Sequence, residues 1–150
     1  MEQYEYTFEV PGKPHGQMRA RATVRYDRSG KPHSHVYKDN RQLVKEHDIA
    51  RQIIDKAPRI PHTGTIGIQV RAFYPIPPSW PKKKQLMAET GQIRPYKEKP
   101  DLDNVMKHIK DVMTGLFYVD DKQVCSESIT KVYGLKPRVY IALLCENAQE

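Results

Sequence analysis

The stretch KPDLDNVMKHIKDVMTGLFYVDDKQV, Lys99 to Val124, places aspartates in two close pairs. Asp101 and Asp103 stand just after Pro100, and Asp120 and Asp121 follow the glycine at position 115. On a helix Asp103 and Lys107 share a face, with Asn104 beside them. Crowded carboxylates repel and hold their protons tightly unless a cation offsets them. A hard divalent ion does so, and magnesium takes a few carboxylates together with water and substrate phosphate. Such an ion polarises a phosphodiester and activates water. A lysine alongside offsets the negative charge that gathers in the transition state. We therefore expect three or four carboxylates, Asp101, Asp103 and Asp121 with or without Asp120, to gather around magnesium, with Lys107 assisting. The plainer alternative is that Asp101 and Asp103 cap a helix at the positive end of its dipole and Asp120-Asp121 marks a turn. One aspartate is readily explained that way, two pairs less well.

The rest of the chain fits a polyanionic substrate. Its 150 residues hold 25 Lys and Arg against 18 Asp and Glu, a net charge of +7. Positive surplus attracts nucleic acid. Lys13, Arg19, Arg21, Arg25 and Arg28 crowd the region after the first strand, Lys82-Lys83-Lys84 forms a second cluster, and Arg94, Lys97 and Lys99 lead into the acids. No apolar run approaches the roughly 20 residues of a membrane span. The acidic start Met1-Glu2-Gln3-Tyr4-Glu5 does not resemble an export leader, which predicts a cytoplasmic protein. Two cysteines without CxxC spacing argue against a disulfide scaffold and a cysteine zinc site. No GxGxxG or Walker loop is present, so no nucleotide cofactor is expected. Trp80, among prolines and lysines, is open to two readings: a base-stacking residue or a buried loop anchor.

These residues need a frame. Period-2 alternation predicts strands at Tyr4 to Val10 and Thr65 to Tyr74, with further extended segments at Val124 to Tyr133 and Arg138 to Leu144. A hairpin is expected between Ala22 to Tyr26 and His35 to Tyr37. Helical spacing runs from Lys38 to Lys56, capped by Asp39 or Asn40, and from about Leu102 to Thr114. The polar connection from Ser79 to Pro100 has room for a short helix at Leu86 to Thr90, and His108 is read as a surface residue. Residues 75–100 form a long, basic, proline-containing loop. The expected fold is a single α+β domain over residues 1–150, a mixed sheet with two main helices packed against it. After Gly115 a short return is expected to bring Asp121 back beside Asp101 and Asp103.

The DLDN-x-x-K run followed by DD-x-Q-V resembles the RusA family of Holliday junction resolvases of bacteria and prophages. PGKP with MRARATVR, and YKDNRQ entering the first helix, are similar to the family's N-terminal region. The resemblance implies a homodimeric endonuclease that cuts four-way DNA junctions with magnesium or manganese. Asp101, Asp103 and Asp121 match the family's metal-binding aspartates and Lys107 its important lysine, with Asn104 and Asp120 of the same motifs in support. Lys13, Arg19, Arg21 and Lys99 are the candidate DNA contacts. Two other classes stay open on the residues alone. One is a non-catalytic nucleic-acid binding module, and the other a hydrolase of small phosphate esters that would ignore the basic loops.

Overall fold

The computed structural model describes residues 2–17 and 21–147, the side chain of Arg21 excepted. The elements in order are β1 (Gln3–Pro11), β2 (Arg21–Tyr26), β3 (Pro32–Tyr37), α1 (Asn40–Ile53), β4 (Ile66–Pro75), α2 (Lys82–Glu89), α3 (Leu102–Met113), β5 (Val124–Gly134) and β6 (Arg138–Glu146). Strands β1, β6, β4 and β5 lie side by side in that order. Only β4 and β5 run parallel, which makes the sheet mixed.

Alternation decides which side of the sheet is covered. Phe8 and Val10 of β1, Ile66 to Tyr74 at every second position of β4, and Val139 to Cys145 at every second position of β6 are buried. They meet Val105, Met106, Ile109, Val112 and Met113 of α3 in one apolar cluster. Burying a side chain of this size contributes about 1.5–3 kcal/mol, so this stripe fixes the helix on the sheet. Helix α1 packs on α3 and β1. Its start is capped by Asp39, whose carboxylate accepts the backbone N–H of Arg41 at 2.8 Å.

Three differences from the sequence expectations matter for the site. A third helix, α2, begins at Lys82, earlier than the expected Leu86, and takes in all three clustered lysines. Trp80 anchors this connection: it is half-buried, meets Tyr133 edge-on at 5.4 Å, and carries the Lys84 ammonium 4.0 Å above its ring. The hairpin of β2 and β3 forms but stands as its own two-stranded sheet. His108 is 2% exposed, not on the surface. Its Nδ1 lies 2.9 Å from the Gln42 side-chain nitrogen, which ties α3 to α1. Burial, with the His15 ring next in effect, pushes its pKa down to about 4.

Candidate active site

Asp101 is the cap of α3, and its carboxylate accepts the backbone N–H of Asn104 at 3.2 Å. The extended segment before it is held from three sides. The Tyr74 hydroxyl at the end of β4 donates to the Pro100 carbonyl at 2.6 Å. From β5, the Lys131 ammonium donates to the Glu98 carbonyl at 2.6 Å and the Tyr133 hydroxyl donates to the Glu98 carboxylate. Across the front, the backbone N–H of Gln17 donates to the Asn104 carbonyl at 3.1 Å. Gly16 makes that approach possible, because a Cβ there would stand 2.7 Å from the Pro100 Cβ. The Lys99–Pro100 peptide is cis. Burial, followed by the charges of Asp101 and Glu98, pushes the Tyr74 hydroxyl up to about 12, so it remains a donor. For Glu98, burial works to raise the pKa, but the Tyr133 hydroxyl and backbone N–H groups outweigh it and the carboxyl ends below its usual range.

Asp103 lies in the first turn of α3 and is exposed, as is Lys107 one turn on. Among the described residues neither side chain has a hydrogen bond or an ion pair. The Lys107 charge reaches Asp111, where it works against a burial-driven rise in pKa. Lys99 is exposed and lines a groove with Asp101, Asn104 and Lys97. Lys13 is exposed on the rim of a different cleft, between α1 and α3. Arg21 opens β2, and Arg19 falls outside the described residues.

The second aspartate pair is elsewhere. After α3 the chain turns at Gly115, whose φ of +87° suits glycine, and Asp121–Gln123 forms a single 3-10 turn leading into β5. Asp120 caps that turn by accepting the Lys122 N–H at 2.9 Å. Gln123 pins it down: its carbonyl oxygen accepts the N–H groups of Val119 and Asp120, and its nitrogen donates to the carbonyls of His62 and Gly64. His62 and Gly64 precede β4, so Asp121 is exposed at the starting edge of β4 and β5. Asp101 and Asp103 are at their finishing edge. Helix α3 runs between them, with the first pair at its start and the second beyond its end. The expectation that one chain gathers Asp101, Asp103 and Asp121 is therefore corrected. The cause is the parallel pairing, because a parallel connection must carry the chain back to the end where the first strand began.

Among the described residues no group of three or more His, Cys, Asp or Glu side chains is placed to hold a metal ion. The Asp101 and Asp103 carboxylates alone fit magnesium in part, since that ion is commonly held by one or two carboxylates with water and phosphate oxygens completing its shell. The side chains missed by sequence reading are the positioning ones: Tyr74, Tyr133 and Lys131. Their signal lies in strand register, where Ala72 and Tyr74 pair with Lys131 and Tyr133.

The described part of the chain has no helix long and apolar enough to cross a membrane. A family model described as Endodeoxyribonuclease RusA matches residues 11–144. The uncharacterized protein YqaN of Bacillus subtilis (strain 168) is 35% identical over 144 residues, covering 91% of this chain and 93% of that protein. With a match that runs from the end of β1 into β6 and takes in all three helices, the chain belongs to the RusA endodeoxyribonuclease family.

Proposed function

We propose that the protein is a metal-dependent endonuclease that resolves four-way DNA junctions as a homodimer, and that each active centre takes Asp101 and Asp103 from one chain and Asp121 from the other. The observation that carries this reading is the exposed face of α3, where Asp103 and Lys107 lie free beside Asp101 on a basic chain. Asp101 and Asp103 crowd two carboxylates at the start of one helix, and a bound cation offsets their mutual repulsion.

Asp101 and Asp103 would hold magnesium or manganese, which polarises the scissile phosphate when bound. Lys107 sits one turn along the same face and offsets negative charge as the phosphorus becomes five-coordinate. Asn104 keeps Asp101 oriented through its backbone N–H. Lys99 is placed to take a neighbouring phosphate of the strand. Within one chain Asp121 follows the far end of α3 from Asp101 and Asp103, which favours taking the third carboxylate from the partner chain. In a two-fold dimer whose axis crosses the middle of α3, the start of one helix lies beside the end of the other. That arrangement supplies the third carboxylate and gives two centres for two opposed strands.

The test is a labelled four-way junction titrated with magnesium. Asp103→Asn should abolish cutting while binding survives or tightens, since a repelling carboxylate is removed. Full cutting by this variant would refute the assignment. The capping roles of Asp101 and Asp120 favour a second reading, a module that binds DNA without cutting it. That module would shift the junction in a gel and never nick it at any magnesium concentration.

A further inference from the structure

The hairpin of β2 and β3 is detached from the sheet, and its two faces differ. In its register Thr23 pairs with His35 and Arg25 with His33, so these side chains share one face. Tyr26 pairs with Pro32, Val24 with Ser34 and Ala22 with Val36, which makes the other face apolar. That apolar face is open: Tyr26 is 71% exposed, Val36 63% and Val24 57%. An isolated two-stranded ribbon is at best marginally stable in water, and exposed apolar surface on it calls for a cover. The ribbon also carries Arg28 and Lys31 at its tip, both exposed. Its one acid, Asp27, is spent locally, accepting from Ser29, Lys31 and His33.

Both legs of the ribbon are tied to α3. The chain entering it is held by Gln17 at Asn104, and the chain leaving it by the Lys38 ammonium, 3.7 Å from Asp111. Asn104, Lys107 and Asp111 are three and four residues apart, so they line one face of the helix. The ribbon is thus rooted on either side of Lys107.

We infer that the β2–β3 ribbon is the element that distinguishes branched from linear DNA. The face with Arg25, joined by Arg28 and Lys31, takes the phosphates of one arm. The face with Val24, Tyr26 and Val36 covers bases left unstacked at the branch. Positive charge disfavours a second ribbon as the cover and favours a polyanion. An intact linear duplex offers no unstacked base to the apolar face, whereas a branch point does, and base–aromatic stacking is a strong, sequence-tolerant contact.

This inference rests on the junction-binding part of the proposed function, and the experiment separates it from cutting. Binding of four-way junction and linear duplex is measured with calcium in place of magnesium, alongside cutting in magnesium and sedimentation of the free protein. Tyr26→Ser and Val36→Ser should lower the preference for junction over duplex about tenfold, with sedimentation unchanged. Arg25→Ala with Arg28→Ala should weaken both DNAs and reduce the slope of log affinity against log salt by about 2. If the parent binds and cuts junctions but these variants keep its preference and its salt slope, the ribbon inference fails alone. If the serine variants change sedimentation, the apolar face covers a second chain and the inference is overturned. If the parent binds junctions through the ribbon without cutting, the nuclease reading fails and the ribbon inference stands.

Discussion

Replacing His108 by leucine should change how stability depends on pH, and the size of the change follows from its burial. An imidazole in the unfolded chain takes up a proton near pH 6.5. In the folded protein His108 does so only near pH 4, because burial, and then the neighbouring His15, oppose the charge. Between those values the unfolded chain binds more protons, so stability is lost as the pH falls. The group contributes fully above pH 6.5. About 2 kcal/mol of that contribution is gone by pH 5, and about 3 kcal/mol once the pH has passed through 4. Urea unfolding of the wild type and His108→Leu at pH 7 and pH 5 isolates this effect, since the other titrating groups are common to both. The variant should lose about 2 kcal/mol less than the wild type on acidification. Equal losses, or an NMR midpoint for the His108 ring near 6.5, would refute the buried neutral imidazole bridging α1 and α3.

Other substitutions probe how the site is positioned. Lys107→Ala should slow cutting about 100-fold and weaken junction binding far less; equal losses in rate and affinity would reduce Lys107 to a phosphate contact. Gly16→Ala should push residues 13–17 away from the start of α3, where the added methyl would meet the Pro100 Cβ at 2.7 Å; wild-type cutting by this variant would show that the contact gives way freely. Tyr133→Phe removes the hydroxyl that holds Glu98 and should cost about 1 kcal/mol in urea unfolding, with a larger proportional fall in cutting rate than in stability. Gln123→Ala leaves two backbone N–H groups and two carbonyls without their partner; it should cost about 1–3 kcal/mol, and unchanged urea unfolding would show that the turn before β5 holds without it.

The strands, the two main helices and the Asp39 cap are legible in the sequence because each depends on local periodicity and end chemistry. His108 was open to the same logic: it stands three residues after Val105 and four before Val112, on the apolar side of α3. Its polarity hides the fact that Gln42 from α1 supplies its partner. The start of α3 is legible as a site because Pro100, Asp101, Asp103 and Lys107 are close in sequence. The location of Asp121 is not. Nothing in the alternation of β4 or β5 states that they pair in parallel, and that pairing alone sends Asp121 to the opposite end of the helix. The positioning roles of Tyr74, Lys131 and Tyr133 are hidden for the same reason, and the DD-x-Q-V run turns out to contain a structural glutamine as well as acids.

Mixing Asp103→Asn protein with Asp121→Asn protein tests most directly whether two chains share each centre. Each variant alone should be inactive. If the third carboxylate comes from the second chain, a mixed dimer has one centre carrying both changes and one that is intact, so junctions are nicked on one strand. If each centre is built within a single chain, every centre in the mixture carries a defect and no nicking returns, which would contradict the shared site.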